Sequence, residues 1–346
     1  MVKVLHILNT GSFSGAENVV ITIVKQLEPK IDSIYASKNG TIADVLAEEK
    51  IKFYSFEKIT PLTVRQIVKD IKPDLIHTHD FTAGIMAAFS FSGVPIINHL
   101  HSNPPWLKSY GLKSIIYFLS SFYYEKILTV SNSILDDYVF GKFISKKLSV
   151  IGNPISINQV INKAREVTND VYEIAFLGRL SDEKNPLLFL DIISELKDNY
   201  RNLRVVIIGD GPLRNRVLEK IDELRLNNIV TMVGFKKNPF PILSHARILC
   251  MPSKWEGFGL AAVEALALGI PVCCANTGGL PMIVDDSCGK ICENKEEYII
   301  EITRLLSEQD YYLTKQRGAF LRASKLDNID EYSTKMNELY KVLIRN

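Results

Sequence analysis

Residues 251–285, MPSKWEGFGLAAVEALALGIPVCCANTGGLPMIVD, decide how the rest of the chain is read. An apolar strand ending at Cys250 runs into the glycine-punctuated turn Glu256-Gly257-Phe258-Gly259, and a short helix opens at about Leu260 and closes at Gly269, a glycine in the C′ position. Such a strand, loop and helix N-terminus make an anion site. The N–H groups of a first helical turn have no intrahelical partner and lie at the positive end of the macrodipole. Two carboxylates frame this site, Glu256 in the loop and Glu264 about one turn inside the helix. Phosphate donors and hydroxyl acceptors in one place suit a nucleotide sugar, whereas two glutamates alone would read as a solvated helix face.

Working outward, the run Tyr172–Leu177 leads into Gly178-Arg179-Leu180-Ser181-Asp182-Glu183-Lys184-Asn185-Pro186. Arg179, a planar fork, and Lys184, a point charge, can both reach a diphosphate from that loop. Leu203–Ile208 ends in Gly209-Asp210-Gly211-Pro212, which is not a dinucleotide fingerprint, because Arg214 stands where the third glycine would be. In the first half, Val2–Leu8 is a β-rich run followed by a glycine loop and a helix from Gly15 to about Leu27. There Ser14 and Glu17 read as a capping box. Strand runs recur at Ser33–Ser37, Lys52–Ser55, Leu75–His77, Pro95–His99 and Ile127–Val130, with helical patterns such as Ile42–Glu49 and Val64–Ile71 between them. The alternation predicts α/β architecture: two Rossmann-like, doubly wound parallel-sheet domains, with ligands outside the carboxyl ends of the strands. Two histidine groups stand at such ends, His77-Thr78-His79-Asp80 and His99-Leu100-His101-Ser102-Asn103.

With Glu256-x7-Glu264 inside SKWEGFGLAAVEALALGIPV and Thr277-Gly278-Gly279-Leu280-Pro281 behind it, the chain resembles the retaining, nucleotide-sugar-dependent glycosyltransferases of family 4 (GT4), which have the GT-B fold of two such domains facing a cleft. The loop with Arg179 and Lys184 is similar to that family's GRL…K element, and Gly15-Ala16-Glu17 to its GGAE element, with Ser14 replacing a glycine. The resemblance implies donor contacts from Gly15, Gly178, Arg179, Lys184, Gly209, Gly211, Pro212, Gly234, Phe235, Glu256, Gly257, Phe258, Gly259, Leu260 and Glu264. It implies catalytic roles for His101, Arg179, Lys184 and Glu256. Glu264 is expected on the ribose hydroxyls and Glu256 on the donor sugar. Acceptor contacts are expected from Gly15, Glu17, His79, Asn103 and Trp106, whose indole offers a face to a sugar ring. Met282 stands where the family commonly has glutamate.

The resemblance implies an acceptor-binding domain at residues 1–152, a donor-binding domain at 153–328 and a C-terminal helix, residues 329–346, packing back on the first. Gly152-Asn153-Pro154 supplies the turn between them, and Ile155–Asp170 reads as a polar connector. A length of 346 residues suits two cores, and a net charge of +2 gives no field for nucleic acid. The five cysteines form no CxxC pair and read as reduced thiols of a cytoplasmic protein. No run is long enough to span a bilayer, and Ser114–Leu128, the most apolar stretch, is expected as a buried helix. Lys108, Lys113, Lys126, Lys142, Lys146 and Lys147 around an aromatic loop read first as scattered solvated lysines; the alternative is peripheral contact with the inner face of a membrane, where a glycan or lipid-linked acceptor would be presented.

With no Asp-x-Asp triplet to carry a diphosphate-bound metal, and no carboxylate or cysteine cluster beside the His-x-His pairs, neither a metal nor any other cofactor is expected. The rivals are a nucleotide-sugar epimerase, a catalytically silent sugar-nucleotide-binding subunit and, disfavoured by the absent fingerprint, a dinucleotide-dependent oxidoreductase.

Overall fold

The Val- and Ile-rich runs form two parallel sheets in the computed structural model, which describes residues 2–165, 170–200 and 202–345. The first sheet contains β1 (Val2–Ile7), β2 (Ile31–Lys38), β3 (Lys52–Phe56), β4 (Leu75–Thr78), β5 (Ile96–Leu100), β6 (Lys126–Thr129) and β7 (Leu148–Val150). Its order is β3-β2-β1-β4-β5-β6-β7. The second contains β8 (Tyr172–Leu177), β9 (Val205–Ile208), β10 (Val230–Gly234), β11 (Ala246–Met251), β12 (Val272–Ala275) and β13 (Gly289–Cys292), in the order β10-β9-β8-β11-β12-β13. In both sheets the order runs outward one way from the first strand and then jumps to its other side. The switch points therefore lie between β1 and β4 and between β8 and β11, where ligands of doubly wound folds bind.

Helices cover both faces of such sheets, so the strands are apolar throughout rather than alternating; every residue of β9 is buried. Two units result, one built from residues up to Pro154 together with those from Asn328 on, the other from Ile155–Asp327. Short polar side chains start several helices. Thr60 and Asp80 accept from Thr63 N–H at 3.1 Å and Ala83 N–H at 2.7 Å, and Asn294 accepts from Glu297 N–H at 3.0 Å. The helix Ile329–Arg345 returns to the first unit, where Tyr340 is fully buried and its hydroxyl lies 2.6 Å from His77 Nδ1.

Three expectations are corrected. The segment Ile155–Asp170 is not a plain connector: Ser156 caps a helix, Ile157–Lys163, that buries Ile157 and Val160. Those two apolar residues, three apart, were masked by polar neighbours, and residues 166–169 of the segment lie outside the described residues. The stretch Ser114–Leu128 is not one buried helix. The helix is Leu112–Ser121, residues from Lys126 on form β6, and Leu112, Ile115 and Leu119 form an exposed apolar stripe at helical spacing. The capping box at Ser14 is not made as drawn. The Ser14 side chain caps no backbone N–H, because its hydroxyl donates instead to the carboxylate of buried Glu17.

The second unit has a core of Phe176, Phe189, Ile193, Ile207 and Ile248 around β8 and β9. Phe189 is fully buried there, so Phe189→Ala should destabilise this unit by about 3–5 kcal/mol, read as a lower urea midpoint with an unchanged slope.

Candidate active site

In the second unit, four loops leave the carboxyl ends of β8, β9, β11 and β12 and lock together through glycine. A Cβ on Gly209 would stand 1.9 Å from the carbonyl oxygen of Gly178, and one on Gly278 only 1.5 Å from that of Glu256. Gly278 also has φ +58, so the backbone geometry and the close approach both demand glycine. Gly209 donates its N–H to Gly234 oxygen at 2.9 Å, which brings the turn bearing Gly234 and Phe235 beside the Gly209–Pro212 turn. The loops are thus braced pairwise before any ligand arrives.

Across the switch point, Lys184 from the loop after β8 meets Glu256 from the loop after β11. Its Nζ lies 2.5 Å from Glu256 Oε2, with both side chains largely buried, and Ser253 Oγ donates to the same oxygen at 3.4 Å. The loops are also joined by Lys254 N–H donating to Glu183 oxygen at 2.8 Å. Beside this pair the helix Leu260–Ala267 begins. Gly259, in left-handed conformation at φ 107, is its N-cap and offers no side chain to the first-turn N–H groups. Glu264 is half-buried on that helix, and burial raises its carboxyl from the usual 4.5 to about 7, against the lowering influence of Lys163 and Lys184. Lys184, Glu256 and Glu264 therefore share one neighbourhood. Lys163 joins them, and sequence reading missed it because it lay in the supposed connector. Arg179 is exposed and forms no ion pair with the described residues, so it stands available beside the loop.

In the first unit, Asp80 ties the two sides of the switch point. While capping the helix Phe81–Ala88 it also accepts from Asn9 N–H at 2.7 Å. Gly15 lies exposed at the start of its helix and Glu17 is buried beneath it, where burial raises its carboxyl pKa. His79 is buried, and its two ring nitrogens lie 3.0 Å from His6 Nδ1 and 3.1 Å from His101 Nε2. Sequence reading treated the two His-x-His segments separately and overlooked His6. The signal was its register: His6 pairs directly with His77 across β1 and β4. Burial lowers the pKa of all five imidazoles, that of His6 to about 3 and that of His101 to about 4. Asn103 is buried near Ser133 and Asp137, and Trp106 is half-buried, edge-on to Phe81 at 4.8 Å.

Residues 13–159 match the family model described as Glycosyltransferase Family 4, and residues 158–323 the one described as Glycosyl transferases group 1. Among relatives, the chain is 26% identical over 353 residues to a Campylobacter jejuni N-acetylgalactosaminyltransferase acting on a diphospho-undecaprenol-linked sugar, covering 94% of this chain and 95% of that one. It is 26% identical over 286 residues to the capsular polysaccharide biosynthesis glycosyltransferase CapH of Staphylococcus aureus, covering 77% and 79%. Anabaena HepE, solved in complex with UDP and glucose, superposes with a TM-score of 0.86 at 19% identity over 99% of this chain and 100% of that one, and shares its GT-B fold.

Because folding raises the Glu264 pKa, the unfolded chain binds fewer protons between pH 4.5 and 7, and stability falls as pH rises through that window. Glu264→Gln should therefore raise the melting temperature at pH 8 while leaving it nearly unchanged at pH 4. An equal offset at both values would contradict the assignment.

Proposed function

This chain belongs to the family 4 glycosyltransferases, and on that premise we propose that it transfers a sugar from a nucleoside diphosphate donor, UDP-linked, to a hydroxyl of a glycan or lipid-linked acceptor in bacterial surface polysaccharide biosynthesis, with retention of configuration and without a metal at the diphosphate. The observation that carries this reading is the Lys184–Glu256 pair at the switch point of the second sheet, with Glu264 beside it. Breaking a sugar–phosphate bond leaves an oxocarbenium-like sugar and a diphosphate gaining negative charge, so catalysis chiefly means receiving that charge. Lys184, Arg179 and the uncapped N–H groups after Gly259 are fixed cationic and dipolar groups suited to this. In the donor-free protein Glu256 neutralises Lys184. An arriving diphosphate takes over the ammonium and frees the carboxylate for a sugar hydroxyl.

Glu264 accepts from the ribose hydroxyls, and the loops bearing Gly178, Gly209, Gly211, Pro212, Gly234 and Phe235 receive the nucleoside. His101 hydrogen-bonds a hydroxyl of the transferred group and Trp106 serves the acceptor, while Glu17, His79 and Asn103 are buried and support that surface from beneath. UDP is favoured because HepE was solved with UDP and glucose. A lipid-linked acceptor is favoured by the Campylobacter relative. Retention is part of this reading, carried by the family resemblance, and front-face substitution is the route it takes, since among the described residues no second carboxylate is identified as a nucleophile.

No described helix is long and apolar enough to cross a membrane. The first unit instead exposes Leu112 (73%), Phe122 (63%) and Phe143 (75%) around stacked Phe118 and Phe140, with Lys113, Lys142 and Lys146 exposed nearby. An apolar patch with cationic neighbours suits peripheral docking on anionic lipid.

Lys184→Ala should lower kcat with a UDP-sugar donor by about 10²–10³-fold in a folded protein, whereas excess EDTA should leave turnover intact. Near-normal turnover of the variant, or full loss with EDTA, would remove the leaving-group assignment. Sedimentation with vesicles containing anionic lipid should retain the wild type and release Leu112→Glu/Phe143→Glu; equal retention would discard the docking patch.

A further inference from the structure

Five of the chain's six histidines converge at the switch point of the first sheet. His6 and His77 are register partners on β1 and β4, and side chains two apart share a sheet face, so His79 joins His77 just past β4 while His99 and His101 lie together at the end of β5. The rings form a continuous cluster, with centroids 4.1 Å apart for His77 and His79, 5.4 Å for His79 and His101 and 4.2 Å for His99 and His101. Buried polar atoms normally have partners. Here both ring nitrogens of His99, Nδ1 of His101 and Nε2 of His6 and His77 are buried with none. The imidazoles are neutral, which leaves lone pairs available to a cation.

We propose that His79, His99 and His101 bind a divalent transition-metal cation, Zn2+ or its close analogues. One ring nitrogen of each lies within 4.8 Å of the others, and rotation about the soft terminal torsions of the rings draws them together. The 3.1 Å separation of His79 Nδ1 and His101 Nε2 suits two ligands at about 2.0–2.1 Å from one ion. Groups behind the triad can fix the tautomers. His79 Nε2–H then donates to His6 Nδ1 at 3.0 Å, and the Asn153 side chain lies within reach of the His101 ring. The overlapping set His6, His77 and His79 is fully buried, with His77 Nδ1 held by Tyr340, whereas the chosen triad contains His101, the least buried of the five rings.

This reverses the expectation drawn from the His-x-His segments, because three imidazoles of the right softness need no carboxylate or thiolate beside them. The ion is not assigned to the diphosphate, which the second sheet serves. Occupancy engages His101, so Zn2+ should slow transfer; that consequence alone rests on the proposed function.

The test is a titration of EDTA-treated protein with Co2+, read by visible absorption, and with Zn2+, read by calorimetry, both without donor or acceptor. The expected result is one site per chain with a four-coordinate Co2+ band. His99→Asn and His101→Gln should abolish the band. His6→Asn should keep it and weaken Zn2+ binding about 10–100-fold. Should His99→Asn fail to fold, His101→Gln at the less buried end carries the comparison. The absence of saturable binding by the wild type would overturn the proposal and leave the nitrogens to water. A band lost in His6→Asn yet kept in His99→Asn would overturn it in favour of the deeper triad. Neither readout depends on whether transfer occurs.

Discussion

The ion pair between Lys184 and Glu256 is the constraint on which the second unit's site depends. It joins loops from β8 and β11, the two strands that flank the reversal of sheet order, and holds both charges largely out of water. A pair so placed contributes little certain stability, because desolvation offsets attraction, but it fixes where each charge stands. Glycine makes that position possible. Gly278 lets the loop after β12 lie against the Glu256 carbonyl, and Gly209 lets the loop after β9 lie against Gly178. Any side chain at either place would push the charged loops off their positions.

The first unit uses the same topology with different chemistry. Its switch point carries a column of neutral imidazoles, with His77 held by Tyr340 of the returning C-terminal helix, and Asp80 ties the loops after β1 and β4 beside it. Fixed positive charge can receive a phosphate, whereas uncharged nitrogen lone pairs and a half-buried indole suit hydroxyls or a soft cation. One sheet architecture, repeated within the chain, thus gives two electrostatically distinct ends.

The fold was legible because parallel strands buried on both faces read as apolar runs, and because the loops carrying the chemistry are punctuated by glycine. The local spacing around Glu256 and Glu264 reached as far as one helix turn. It could not show that Lys184, 72 residues earlier, bonds Glu256, because that contact is set by the adjacency of β8 and β11. Lys163 was hidden for a related reason: its short helix has only two buried apolar positions, too few to announce a period. His6 was hidden inside an ordinary strand, where only its register with His77 makes it part of a cluster. The exposed stripe on the helix Leu112–Ser121 was misjudged because an apolar face gives no sign in sequence of whether protein or solvent covers it.

The most direct measurement is a thermal-shift titration of UDP and UMP on the wild type and on Lys184→Ala, since a ligand that binds only the folded state raises the melting temperature with its affinity. The account predicts that UDP stabilises the wild type well beyond UMP and that Lys184→Ala erases the difference by removing the group that receives the second phosphate. Equal shifts for UDP and UMP on the wild type, or an undiminished preference for UDP in the variant, would contradict it.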